Sequence, residues 1–508
     1  MDYMRRNIST KKALWTYIRS DCIAANQLLL GGRPLPFHTA GAAARSSWST
    51  RPHHGTAVVR CTTLPDSPQQ QQLPPRPRRP FCDNLLHHGS RWFHASSNAA
   101  KMTTPASAEQ QLGNSDGAAA DVHKMPASSW VGHDGAAAFD LRSDTMTTPT
   151  AAMLAAIQQT TLLDDVFEED PTTAELEAHV AALTGKEAGL FVLSGTMGNQ
   201  VALRSLLTQP PYGVLCDHRS HIIKYEAGGV SSLTGATVQP IAPSNGLYLT
   251  LEDVSAHAVL DDGDVHACPT RVISLENSLN GLVTPLSETR RISAWARAHG
   301  LRLHCDGARL WEVVAATDGA ASLRDFAACF DTVSLCFSKG LGAPVGSAVV
   351  GAAPLIRHAR RVRKALGGGL RQSGVVAAPA RVAVDVTFGR GPRGEGGLLR
   401  ATHETARRVA RAWEALGGRL AAPVHTNMVW LDLDSLGCSA ARFEELGREA
   451  GLRLAGNRII THYQIGEEAV RRLEGVFRTV AAEEEAGSRV GAAAQGGSGS
   501  GPYGDRPW

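Results

Sequence analysis

Cysteine is scarce and poorly placed for cross-linking. The chain holds nine, an odd number, and no two form a Cys-x-x-Cys pair. That excludes a disulfide framework and the usual zinc spacings, and it suits a reducing compartment with no structural or catalytic metal. Long apolar runs are missing as well. The nearest, Leu341 to Ile356, is broken by Gly342, Pro344, Gly346 and Gly351, so no spanning helix and no membrane partner are expected. No Gly-x-x-x-x-Gly-Lys phosphate loop occurs. Acids are rare only at the start: the first hundred residues carry 13 Lys plus Arg against 4 Asp plus Glu, leaving 38 against 44 in the rest. A mildly acidic body offers no footprint for nucleic acid. What is present is 508 residues, 43% apolar and 19% charged, the composition of a soluble globular enzyme with room for two domains.

Residues 1–135 do not read as a domain. Arg5, Arg6, Arg19, Arg33, Arg45 and Arg51, a Gln run at 69–72 and a Pro/Arg stretch at 74–80 stand among few acids. This is the composition of a mitochondrial transit peptide followed by a linker; the alternative is a cytoplasmic product started at Met102. From Phe139 onward helix and strand signals alternate. Glu175–Leu183 reads as a helix closed by Gly185, and Leu190–Leu193 as a buried strand followed by a helix from Thr196. Ser287 is expected to cap a helix through His299; Leu301–His304, Thr332–Phe337 and Ser347–Val350 read as strands. The pattern predicts an α/β fold, a mostly parallel sheet flanked by helices, over residues 139–388. A Gly/Pro/Arg joint at 389–397 then leads to a smaller C-terminal α+β domain, 389–485, with a helix at 398–416 and a strand at 428–433. The Gly/Ser-rich tail 486–508 is expected to be disordered.

Two stretches carry the chemistry. Asp306-Gly307-Ala308-Arg309 ends one strand, and Ser338-Lys339-Gly340 follows the next. A carboxylate and a lysine at the carboxyl ends of parallel strands stand where open α/β sheets bind ligands. Among Phe337, Gly340, Leu341 and Gly342, Lys339 should be partly desolvated and able to offer a neutral amine for a Schiff base. The second stretch, Ser194-Gly195-Thr196-Met197-Gly198-Asn199, lets backbone amides approach a phosphate at a helix N-terminus. Each signal has an ordinary counterpart. Asp-Gly is commonly a turn, Lys before Gly a solvated loop residue, and Thr196 a plain helix cap. His221 alone is more often structural, and Arg458, in a strand-like run, could be an exposed ion-pair partner. Lys364 could belong to a solvated basic face with Arg360, Arg361 and Arg363.

Taken together and in order, these residues resemble the L-threonine aldolases of the low-specificity type, aspartate-aminotransferase-like (fold type I) pyridoxal-phosphate enzymes. The resemblance spans about residues 139–480. It runs through Asp140-Leu141-Arg142-Ser143-Asp144-Thr145, Asp164-Asp165-Val166-Phe167 and Ser194-Gly195-Thr196, then His221 with Tyr225-Glu226-Ala227-Gly228-Gly229 and Leu275-Glu276-Asn277. Asp306 to Arg309, Ser338 to Gly342, Gly367 to Gln372 and Arg458 to His462 complete it. It implies that Lys339 forms the Schiff base with pyridoxal 5'-phosphate and that Asp306 sits against the pyridine nitrogen. It implies further that Gly195 and Thr196 hold the phosphate and that His221 stacks on the ring and takes the β-hydroxyl proton. Arg309 contacts cofactor and substrate, and Ser143, Arg309 and Arg458 grip the substrate carboxylate. The implied reaction is retro-aldol cleavage of L-threonine or L-allo-threonine to glycine and acetaldehyde, in a homotetramer. The alternatives are a β-eliminating lyase or aminotransferase of the same fold, or an inactive relative. One position departs. Many members carry a histidine where this chain has Leu279, in Asn277-Ser278-Leu279-Asn280-Gly281. A leucine cannot hydrogen-bond, so low specificity at the β-carbon is expected.

Overall fold

Short runs of apolar residues bounded by glycine, proline and polar turns give seven strands in one sheet. They are β1 (Ala188–Val192), β2 (Gly213–Asp217), β3 (Thr237–Ile241), β4 (Thr270–Glu276), β5 (Arg302–Gly307), β6 (Thr332–Cys336) and β7 (Ser347–Gly351). The computed structural model describes residues 135–389 and 396–494. The arginine-rich leader and most of the Gly/Pro/Arg joint lie outside the described residues, as does the chain beyond 494. Among the described residues no helix is long and apolar enough to cross a membrane.

The sheet order is β1-β7-β6-β5-β4-β2-β3. Strands β3, β2, β4, β5 and β6 pair in parallel, and β7 is antiparallel to both β6 and β1. Two reversals restore direction, so β1 runs the same way as β5 and β6. Six strands therefore point their carboxyl ends the same way: β1, β2, β3, β4, β5 and β6. β2, β6 and β7 are buried at every position, because helices cover both faces. That is why these strands read as continuous apolar runs with no alternation.

Helix boundaries follow capping chemistry, and three differ from the sequence reading. The helix expected from Glu175 begins at Pro171 and runs to Thr184. Asp170 caps it through the amides of Thr172 (3.0 Å) and Thr173 (3.4 Å), with proline at the first turn, where its missing N–H costs nothing. Gly185 closes it at φ 66°, as expected of a left-handed terminator. Helix Gly195–Leu206 is capped by Ser194, which accepts from Met197 N at 3.1 Å, so Thr196 is not the cap. Helix Leu286–Ala298 starts after Pro285 without a side-chain cap, so Ser287 lies inside it.

The smaller unit packs helix Gly397–Glu414, helix Ala440–Glu449 and helix Glu467–Ala494 on an antiparallel sheet of β8 (Arg419–Ala422), β9 (Met428–Asp432) and β10 (Arg458–Ile460). The last helix runs past Ala486, where the sequence suggested structure would end. Trp413, Val429, Phe443, Ile459 and Phe477 form its core, and Leu141 joins them. Leu141 is held there by Leu141 N to Arg453 O (3.0 Å) and Ile460 N to Leu141 O (2.9 Å). The segment at 139–141, read as the start of the large domain, therefore packs with the small one. A lone apolar residue carries no local sign of which core it fills.

Two further basic residues change role. Arg363 is buried; it donates to Asp165 Oδ2 at 2.6 Å and to Phe191 O at 2.7 Å. Arg360 bonds Glu177 at 2.7 Å. Of the four basic residues expected on a solvated face, Arg360 and Arg363 thus turn to Asp165 and Glu177, while Arg361 and Lys364 are exposed.

Candidate active site

Topology gathers the expected residues at one sheet edge. Asp306 is the penultimate residue of β5, Lys339 follows β6, Gly195 and Thr196 follow β1, and His221 follows β2 at the start of a short helix without a side-chain cap. Lys339 is half-buried; its carbonyl accepts from Thr147 Oγ1 at 2.9 Å and Gly342 N at 2.9 Å, which shapes the turn. Gly340 must be glycine, because a side chain there would fall on the Glu312 carboxylate.

Asp306 is buried and receives two donors, Asn199 Nδ2 at 2.7 Å and Ala308 N at 3.1 Å. Asn199 lies one turn beyond Gly195 on the same helix, so the two share a face. Its amide also donates to Glu226 Oε1 at 2.8 Å, and its carbonyl contacts His304 Nε2 at 3.1 Å. Burial holds the His304 imidazole down at about 4, so it is neutral and can donate this bond. Glu226, its side chain fully enclosed, contacts His221 Nδ1 at 2.8 Å. The ring nitrogen of His221 and the carboxylates of Glu226 and Asp306 come within 4.8 Å of one another. The Glu226 hydrogen bond raises the His221 imidazole above its ordinary value, against the opposing effect of burial.

The two arginines stand in different surroundings. Arg309 forks onto Asp144, with Nε to Oδ2 at 2.8 Å and Nη2 to Oδ1 at 2.6 Å. Burial opposes ionisation of Asp144, but Arg309 overcomes it and holds the carboxyl down at about 2. One edge of Arg309 is therefore committed inside the protein, and only its remaining N–H groups can reach a ligand. Arg458, at the start of β10, has no carboxylate partner among the described residues. Its guanidinium lies 5.7 Å from the Trp430 ring centroid and donates to Arg142 O at 3.2 Å. Burial first, then the neighbouring Arg309 charge, lowers its proton affinity. A desolvated cation beside another cation is the arrangement that an incoming carboxylate relieves. Ser143 accepts from Thr145 N at 3.2 Å as the cap of a short turn, beside the Arg142 carbonyl that Arg458 holds. Arg371 is mostly exposed, 3.6 Å from Asp164.

Sequence reasoning gave no role to Asp144, Asn199, Glu226, His304 or Glu276. Asp144, Glu226 and Glu276 stood inside the quoted motifs. Asn199 could have been found from its spacing to Gly195.

The edge fits a phosphorylated, nitrogen-bearing ring. The first-turn amides of helix Gly195–Leu206 have no partner inside the helix. Ser347 Oγ, buried without a partner, lies 3.8 Å from where a side chain on Gly195 would begin. A small anion satisfies these groups, and a buried carboxylate such as Asp306 matches a protonated ring nitrogen.

Comparisons with known proteins bear on the same point. A solved threonine aldolase from Leishmania major shares the fold, with a TM-score of 0.57 at 20% identity over 67% of this chain and 99% of that one. Pyridoxal phosphate is the cofactor, and the class is the fold type I pyridoxal-phosphate enzymes. Within that class the chain belongs to the beta-eliminating lyase family, whose model matches residues 140–435. Aldolase vrtJ of Penicillium aethiopicum is 58% identical over 344 residues, covering 68% of this chain and 86% of the relative. Alanine racemase TOXG of Cochliobolus carbonum is 48% identical over 349 residues, 69% and 89%. The low specificity L-threonine aldolase of Saccharomyces cerevisiae is 44% identical over 338 residues, 66% and 85%.

Proposed function

We propose that this chain is an aldolase that cleaves L-threonine and L-allo-threonine to glycine and acetaldehyde. The observation that carries the reading is the His221–Glu226 pair beside Asp306, together with Arg458, which lies near Arg309 and has no carboxylate partner among the described residues. Such a site holds an amino acid by its carboxylate and offers an oriented imidazole to a group further along the substrate. The similarity to the yeast enzyme supports the same reaction.

Lys339, Asp306, Gly195, Thr196 and His221 would hold pyridoxal phosphate, which when bound supplies an electron sink for the breaking bond. Arg458 pairs with the substrate carboxylate and, with Arg309 fixed by Asp144, sets the rotation about Cα. Because Nδ1 of His221 is engaged by Glu226, Nε2 is the nitrogen left to take the β-hydroxyl proton. As that proton leaves, the Cα–Cβ bond breaks and acetaldehyde departs. Leu279 is buried at the Leu279–Leu282 bridge and cannot share this proton, so the two β-epimers should be cleaved at comparable kcat/KM.

His221→Asn should lower kcat by roughly 10²–10⁴-fold, the usual contribution of a positioned general base, with KM little changed. In the wild type, the acid limb of kcat should lie above the ordinary histidine range, the direction that Glu226 imposes. An unchanged rate in the variant would remove His221 from the mechanism.

The deciding test incubates the full chain and pyridoxal phosphate with each threonine epimer, following glycine and acetaldehyde, and with L-alanine, following D-alanine. Equal release of glycine and acetaldehyde is expected. Racemised alanine without aldol cleavage would place the chain beside the racemase instead, and ammonia with a keto acid would mean elimination. A homotetramer is part of this proposal; light scattering on the same preparation checks it. The exposed Leu162, Leu163 and Phe167 give an apolar patch consistent with assembly.

A further inference from the structure

Glu276 ends β4, directly opposite Asp306 in the parallel register of β4 and β5. In-register neighbours on adjacent strands project to the same side of a sheet, so the two carboxyl groups stand side by side. Asn277 N bonds the Asp306 carbonyl at 3.0 Å, which locks that register. Glu276 Oε2 accepts from His221 N at 2.7 Å. Part of the residue's surface remains accessible, yet the carboxyl itself is drawn out of water.

Two adjacent desolvated carboxyl groups do not both ionise readily, and one keeps a proton. The donors decide which. Asp306 collects Asn199 Nδ2 and Ala308 N, and a carboxylate is the form that accepts them. Glu276 collects the single His221 amide, which bonds either form.

We propose that Glu276 is a positioning residue that holds the one proton of this carboxyl pair, so that Asp306 is the member of the pair that presents negative charge to the cofactor. Neutral Glu276 also anchors the backbone of His221, tying the orientation of the imidazole to the charge state of the pair. The surrounding charges are consistent with this. Asp306 from β5 adds to the burial that pushes Glu276 up to about 8, whereas His221 and Lys339 pull the other way. Arg309 also feels Glu276, while the Cys216 and Cys305 thiols, pushed up by burial, add no charge at neutral pH. Asp217, which lines a small cleft with Glu276, is neutralised by Arg219 at 2.8 Å.

The proposal's link to turnover rests on the aldolase reading; its protonation does not. The test is infrared titration of the full chain with pyridoxal phosphate, alongside Glu276→Gln. A protonated-carboxyl band should persist at neutral pH, vanish as pH rises through about 8, and be missing from E276Q. Should E276Q fail to fold, Glu276→Asp keeps the assignment testable by shifting the band. Thermal unfolding of the cofactor-free chain adds a second measurement. Folding raises the proton affinity of Glu276, so its stabilising contribution is full below the unfolded value. That contribution fades as pH climbs to the folded one. The Tm difference between wild type and E276Q should therefore change across that interval. A wild type with no such band at neutral pH, or a band unaffected by E276Q, overturns the proposal. If the chain cleaves threonine, the alkaline limb of kcat/KM should move upward in E276Q. If it does not cleave threonine but shows the Glu276 band, the aldolase reading falls and this one stands.

Discussion

Lys339→Ala should abolish both the visible absorbance of the protein-bound cofactor and turnover, the latter by on the order of 10⁴-fold or more, as when a reacting group is removed from a catalytic unit. The lysine follows β6, and its position is fixed by two hydrogen bonds to its own carbonyl, from Thr147 and Gly342. On the lysine's side those bonds use only its backbone carbonyl, so the alanine variant keeps the turn while losing the amine. Its melting temperature should stay close to wild type, which separates loss of chemistry from loss of fold. A variant that retains the absorbance and the rate would show that another amine holds the cofactor.

Arg458→Ala should raise KM for the amino acid and lower kcat/KM by roughly 10²-fold, about 3 kcal/mol, the scale of truncating one partner of a buried charge pair. Arg309 cannot make up the loss, because one edge of its fork is spent on Asp144. Arg458→Lys should recover part of it. A lysine keeps the charge but cannot form two parallel bonds to a carboxylate or lie against Trp430 as a plane. Steady-state kinetics with L-threonine check both variants. An unchanged KM in Arg458→Ala would assign the substrate carboxylate to another donor.

These two expectations differ in how far the sequence reached. The placing of Lys339 and Asp306 at one sheet edge was legible because each is a chemically marked residue at the end of a short apolar run. The reach of Arg458 was less so, since a strand-borne arginine has the same local signature whether it faces solvent or a site. That Arg309 is held by a carboxylate while Arg458 has none among the described residues was not legible. Asp144, which claims Arg309, lies 165 positions away, and nothing local to either residue records the pairing.

The order of chemical motifs, the alternation of strands and helices and the composition of the strands are properties of the sequence. They determined a mostly parallel sheet and the cofactor class, and they marked the lysine and aspartate proposed for the site. Strand direction at β1 and β7, the transfer of Leu141 to the small-domain core, and the caps at Asp170 and Ser194 needed the folded chain. So did the chain of contacts from Asp306 through Asn199 and Glu226 to His221, and the pairing of Glu276 with Asp306. The reason is physical: a side chain's type is written where it stands, but its hydrogen-bond partner is chosen by sheet order and register. Here that choice joins Asn199 to Asp306 across 107 positions.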